Sequence, residues 1–233
     1  MTDKVLGVLG GMGPLASAQF MLRLTLLTPA AKDQDHIPAV LWSDPTIPDR
    51  GEASRGGPDP LPALLRGIAG LKQAGCGAIV IPCNTAHAWY APMSEAAGMP
   101  MPHIVDAAAA DLARIGVRPG RIGLMGTATT LRMKLYQQRL ASVGWACIEP
   151  TEAQMTRLVS PAIALVKANQ VADAYEPLAE VVNDLAARGA TAVVLGCTEI
   201  PLGIQAGPQS RLNVPVIDTI DALARAAIVW ARG

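Results

Sequence analysis

The stretch Gly77-Ala78-Ile79-Val80-Ile81-Pro82-Cys83-Asn84-Thr85 decides the fold, because the chain carries a second version of it, Ala190-Thr191-Ala192-Val193-Val194-Leu195-Gly196-Cys197-Thr198. Each is a short run rich in β-branched residues that ends in a polar cluster, the pattern of a parallel strand buried on both faces. The cysteines are 114 positions apart, and the helix-like segments before them, Ile68–Ala74 and Val182–Arg188, keep that offset. Two further anchors agree. Leu6-Gly7-Val8-Leu9-Gly10 corresponds to Ile122-Gly123-Leu124-Met125-Gly126, and Pro102-His103-Ile104-Val105-Asp106 to Pro215-Val216-Ile217-Asp218.

Working outward, apolar strand-like runs alternate with helical segments, the βαβα order of parallel sheets covered by helices. Strands are expected at Val5–Leu9, Ala39–Trp42, Ala78–Ile81, His103–Val105, Ile122–Met125, Trp145–Ile148, Ala192–Leu195 and Val216–Ile217. The expected fold is α/β: two similar lobes, each a parallel sheet of about four strands flanked by helices, related by pseudo-twofold symmetry. Residues 1–101 plus 214–233 form the first lobe and 102–213 the second, with the site in the cleft between them at the C-terminal strand ends. Asp106 and Asp218 are expected to N-cap the alanine-rich helices that carry the chain from one lobe to the other.

Composition narrows the function. The 233 residues hold 19 Lys plus Arg against 19 Asp plus Glu, so neither a nucleic-acid face nor an acidic tail is indicated. Aromatic residues make up 3% of the chain, which disfavours base-stacking platforms and points to small substrates. No stretch is apolar and long enough to span a bilayer, and the opening Met1-Thr2-Asp3-Lys4 lacks the pattern of a signal peptide. A cytoplasmic protein is expected, with Cys76, Cys83, Cys147 and Cys197 as thiols. With no CxxC pair and only His36, His87 and His103, a metal site is not expected.

Cys83 and Cys197 each follow an apolar strand and precede polar residues, Asn84-Thr85 and Thr198-Glu199, which have no use in a core; both are candidate catalytic thiols. A position at a helix N-terminus would favour the thiolate of each. Cys76 and Cys147 read as small buried hydrophobes. His87 and Glu199 each lie near enough in sequence to tune a thiol, although a buried histidine satisfying a backbone carbonyl is the commoner case. Gly10-Gly11-Met12-Gly13-Pro14 follows a strand and opens a helix, so its amides can cradle a carboxylate. The same residues fit a dinucleotide fingerprint, with Asp33 or Asp35 as the ribose acid, or a structural tight turn. Arg50 offers a bidentate grip on a carboxylate, and Thr127, Thr129 and Thr130 occupy the second half's counterpart of the glycine turn. Lys167 is alone on the apolar segment Ala162–Asn169 and either points into the site or snorkels to water.

Together, Gly10–Pro14, Pro48-Asp49-Arg50, Pro82-Cys83-Asn84-Thr85-Ala86-His87, Gly126-Thr127 and Gly196-Cys197-Thr198-Glu199-Ile200 resemble the aspartate/glutamate racemase superfamily, most of all its aspartate racemase branch. The resemblance implies amino-acid racemisation without pyridoxal phosphate, metal or other cofactor. It also implies Cys83 and Cys197 as the acid–base pair. Substrate binding falls to Gly11, Met12, Arg50, Asn84, Thr85, Thr127, Lys167, Thr198 and Glu199, with Arg50 and Lys167 on the carboxylates. Gly51 stands where the family often has threonine. Glu199 and the glycine turn replace a histidine and an Asp-Ser pair usual in the glutamate branch. The partners implied are an amino acid or dicarboxylate and a second copy of the chain in a homodimer. Sister reactions on this scaffold, maleate isomerisation and hydantoin racemisation among them, and a non-catalytic dicarboxylate-binding protein are the alternatives.

Overall fold

The computed structural model describes residues 4–233; Met1–Asp3, on which part of the N-terminal reading rests, lie outside the described residues. Two compact units are present, one running to Ala107 and resuming over Ile220–Gly233, the other Ala108–Thr219.

In the first unit, β1 (Leu6–Gly10) is buried along its whole length. It pairs in parallel with β2 (Ala39–Ser43) and β3 (Ala78–Val80), placing Leu6 opposite both Ala39 and Ala78 in the order β2-β1-β3. Parallel neighbours require crossovers. Helix α1 (Pro14–Leu27) links β1 to β2, while α2 (Arg50–Ala53) and α3 (Leu61–Gln73) lie between β2 and β3. Helix α3 buries Ala63, Leu64, Gly67, Ile68 and Leu71, a spacing of three and four that makes one apolar stripe. Ala63, Leu64, Ile68 and Leu71 join Leu9, Ile79, Ile81, Cys83 and Met93 in the core. Helix α4 (Tyr90–Ala97) follows, then α5 (Ile104–Arg114), whose residues belong to both units.

The strand expected at His103–Val105 is absent, and α5 begins there instead. The cause is visible in the amides. Ile79 N donates to Pro100 O at 3.0 Å, just as Val193 N donates to Pro215 O at 3.0 Å in the other unit. Beyond that bond the first unit meets Pro102, which has no N–H to continue a ladder. Two of the amides that follow are taken by histidines: Ile104 N donates to His87 Nε2 and Val105 N to His103 Nδ1. Asp106 therefore sits inside the first turn of α5 rather than before it.

The second unit contains β4 (Arg121–Gly126), α6 (Ala128–Arg132), α7 (Leu135–Ala141), β5 (Ala146–Ile148), α8 (Glu152–Gln154), α9 (Ser160–Lys167), α10 (Tyr175–Ala187), β6 (Val193–Gly196), α11 (Ile200–Gln205) and β7 (Val216–Asp218). A π-turn over Met155–Val159 joins α8 to α9. The sheet is parallel throughout, in the order β5-β4-β6-β7. Val181, Val182 and Leu185 of α10 pack with Val193 and Leu195 of β6 and Val166 of α9. Helix α12 (Thr219–Arg232) leads back into the first unit, where Asp221 forms a bidentate ion pair with Arg23 of α1. The fold is thus α/β, with parallel sheets of three and four strands. Among the described residues no helix is long and apolar enough to cross a membrane.

Candidate active site

Each unit ends one strand in a buried thiol. Cys83 lies three residues beyond β3 and is 5% exposed; Cys197 follows β6 directly and is 4% exposed. In the first unit the turn after the cysteine is polar and closed. Asn84, Thr85 and His87 are all buried, His87 N donates to Asn84 O at 3.1 Å, and His87 Nδ1 meets Cys83 O at 2.9 Å.

The glycine turn between β1 and α1 belongs to the same unit. Gly11 has φ +92°, and a Cβ there would collide with the Asp44 backbone, so only glycine fits this approach. Its amide donates to Ser17 Oγ at 2.8 Å, and Ser17 Oγ in turn donates to Gly13 O at 2.8 Å. The Gly11 N–H is therefore engaged by the turn itself. Asp33 and Asp35 sit in a short 3₁₀ turn ahead of β2, not at its C-terminal end where a ribose acid is needed. Arg50 spends Nη1 on Ile47 O (3.2 Å) and Pro48 O (3.0 Å), and Nη2 lies 3.5 Å from Met12 O. Its Nε is shielded from solvent with no partner. A buried unpaired guanidinium N–H calls for an explanation, and an anion on the Nε–Nη2 edge is the one its chemistry suits.

In the second unit, Cys197 Sγ donates to Glu199 Oε2 at 3.0 Å, and Thr198 Oγ1 donates to the same oxygen at 3.3 Å. Thr198 and Glu199 are both buried. Thr127 N-caps α6, its hydroxyl accepting from Thr130 N at 3.1 Å and lying 2.9 Å from Thr130 Oγ1. Thr129 and Thr130 are buried beside it. Lys167, the last residue of α9, is exposed, yet its charge acts on Cys197 in favour of the thiolate.

At Cys197 the surroundings oppose the thiolate that its place in the sequence would favour. Burial, reinforced by the neighbouring Glu199 carboxylate and its hydrogen bond, pushes the Cys197 thiol well above the ordinary thiol range, and Lys167 offsets only part of this. Cys147 in β5 is also pushed up, to about 12, by burial and Glu149, while burial alone raises Cys76. Three supporting groups are missed by sequence reasoning: Ser17, Tyr136 and Thr219. Tyr136 is fully buried against Gly196, and Thr219 Oγ1 donates to Leu195 O at 2.9 Å. The only sequence signal for Ser17 is a hydroxyl on the otherwise apolar first turn of α1.

Comparisons with known proteins identify the family and the fold. The broad specificity amino-acid racemase RacX of Bacillus subtilis (strain 168) is 25% identical over 228 residues, 96% of each chain. The solved Picrophilus torridus aspartate racemase is similar at a TM-score of 0.84 and 33% identity, over 99% of this chain and 95% of that one. Glutamate racemase from Francisella tularensis subsp. tularensis SCHU S4, solved with D-glutamate, shares the fold at a TM-score of 0.71 and 15% identity, covering 99% of this chain and 81% of that one. Residues 9–227 match the description Asp/Glu/Hydantoin racemase, a span that takes in both cysteine turns, and the chain belongs to that family.

Proposed function

We propose that the protein interconverts L- and D-aspartate, with Cys83 and Cys197 acting on opposite faces of one Cα. The observation that carries this reading is the recurrence of a buried thiol at the end of a parallel strand in each unit, each followed by buried polar residues. Aspartate as substrate is supported by the likeness to the Picrophilus torridus aspartate racemase over almost the whole chain.

A Cα–H of an amino acid is weakly acidic, so inversion needs a base on one side and an acid on the other. With Cys83 as thiolate and Cys197 as thiol, the sulfur of Cys83 takes the α-proton, and the C–H electron pair passes toward the α-carboxylate. The Cys197 S–H then delivers its proton to the opposite face. The product is the other enantiomer, and the two sulfurs have exchanged protonation states. The hydrogen bond from Cys197 to Glu199 supports Cys197 as the thiol in the resting enzyme. Arg50, through its Nε–Nη2 edge, and Lys167 are assigned to the carboxylates. Asn84, Thr85, Thr127 and Thr198 are assigned to the remaining polar groups of the substrate. Gly11 and Met12 shape the turn against Arg50.

Proton NMR in D2O with L-aspartate, D-aspartate, both glutamates and maleate tests the reading. Loss of the aspartate α-proton signal together with inversion is expected; change in maleate alone would overturn it in favour of cis–trans isomerisation. Cys83→Ala and Cys197→Ala should each lower kcat by at least about a thousandfold in both directions, since every cycle uses both groups. Near-normal turnover in either would end the two-thiol scheme. The active species is assigned as a homodimer, supported by exposed Leu15, Leu22 and Leu26 at helical spacing along α1. Light scattering at the assay concentration checks it, and a monomer with full activity would refute it.

A further inference from the structure

We infer that His87 is a positioning residue for Cys83: its Nδ1 holds the carbonyl of the cysteine and so fixes the direction of the thiol, while its Nε2 takes the first amide of α5. The inference rests on the assignment of Cys83 to acid–base work. His87 is 3% exposed and lies in the 3₁₀ turn Thr85–Trp89 that follows the cysteine. Its Nδ1 is 2.9 Å from Cys83 O. A carbonyl only accepts, so Nδ1 carries the proton. Its Nε2 is 3.3 Å from Ile104 N, which only donates, so Nε2 offers a lone pair. One neutral tautomer satisfies both bonds.

The effect on Cys83 is direct. Its amide donates to Ile81 O at 2.8 Å, so with the carbonyl held by His87 the backbone is pinned on both sides of the Cα that carries the thiol. The ring itself is held. His103 packs edge-on at 4.7 Å and accepts the next amide, Val105 N, while Tyr90 stacks at 6.0 Å and donates to Met101 O.

The other half of the duplicated chain makes a corresponding link with a different side chain. Thr219 Oγ1 donates to Leu195 O, two residues before Cys197, and Thr219 is the first residue of α12 as Ile104 is of α5. The two helix starts are 115 positions apart, close to the 114 that separate the cysteines. A link from the thiol-bearing strand end to the start of a helix thus recurs, while the residue providing it changes from histidine to threonine. Filling a core with apolar volume would require neither.

Three substitutions in the full chain separate positioning from simple packing. His87→Asn keeps a donor near the Nδ1 position, His87→Gln places its amide near Nε2 and abandons Cys83 O, and His87→Ala removes both. Where racemisation of aspartate is measured, kcat should fall about tenfold to a hundredfold in His87→Gln and His87→Ala with KM within about twofold. His87→Asn should stay within about threefold of the parent. A second readout needs no substrate: the rate of Cys83 alkylation by iodoacetamide, followed on the Cys83 peptide by mass spectrometry. It should rise in His87→Gln and His87→Ala, as the turn is released, and stay at the parent value in His87→Asn. Circular dichroism melts identify any variant that fails to fold. If His87→Gln matches His87→Asn in alkylation rate, the inference is overturned. If the parent shows no α-proton exchange, the racemase reading fails, and the alkylation contrast alone upholds or overturns the positioning role.

Discussion

A free thiol in water is half ionised near pH 8.5, but Cys197 is buried with a carboxylate as its hydrogen-bond acceptor, and both features oppose the thiolate. Burial first and Glu199 second hold the proton on this sulfur, and Lys167 works against them. Glu199→Gln keeps an acceptor oxygen and removes the negative charge, so the Cys197 pKa should fall and the thiolate fraction at pH 8 should rise. Iodoacetamide reacts with thiolate, and its rate at the Cys197 peptide should increase about tenfold or more in Glu199→Gln. Lys167→Ala should shift it the other way. An unchanged rate in both variants would remove Glu199 and Lys167 from control of the thiol. In steady-state kinetics the same change divides between constants. Enantiomers have equal free energy, so kcat/KM must be the same in both directions at any pH, and Glu199→Gln can bias the two directions only through kcat and KM separately.

At the scale of elements, two threonines provide a matched pair. Thr127 caps α6, and Thr151 caps α8 in a capping box with Gln154, whose side chain accepts from Thr151 N. Replacing either by alanine should cost about 1 kcal/mol of stability, read from the urea midpoint. Only Thr127→Ala should also raise KM for aspartate, because Thr151 has no part in the site. Equal KM values in the two variants would leave Thr127 as a cap alone. The same elements show what the sequence makes legible. Seven strands can be found in advance because each is an apolar run between turn residues, and the cysteine turns stand out because polar residues follow such a run. The eighth expected strand fails although Ile104-Val105 has the right side chains, because the ladder is ended by the missing amide of Pro102 together with capture of the Ile104 and Val105 amides by His87 and His103. Ser17 and Thr219 were not legible for a related reason: each acts on a backbone group, and a hydroxyl does not announce which backbone group will reach it. Arg50 was legible as a candidate anion grip, but not the division of its donors, with Nη1 spent on its own loop and Nε left over.

For the whole molecule, buried acids with raised pKa values make stability depend on alkaline pH. Cys76, Cys147 and Cys197 are all pushed above the ordinary thiol range, Cys147 to about 12, and Tyr136 is pushed up by complete burial. The unfolded chain releases the thiol protons once the pH passes about 8.5 and the tyrosine proton once it passes about 10, while the native state retains them until the higher folded values are reached. In that window the native state binds more protons than the unfolded state, so stability falls as pH rises. The urea midpoint should accordingly be flat from about pH 7 to 8 and decline from about pH 9 upward. The informative quantity is the difference made by one half-buried thiol. Cys147 lies in β5, is not assigned to the site, and its proton is held by burial and the Glu149 carboxylate. Cys147→Ala removes that titration, and its midpoint should decline less steeply between pH 9 and 10.5 than that of the parent, whatever its value at pH 7. Parallel declines in the two proteins would mean that the Cys147 proton is not retained on folding. A shallower decline would show that burial around this sheet resists ionisation, the same physical effect that keeps Cys197 protonated in the proposed resting enzyme.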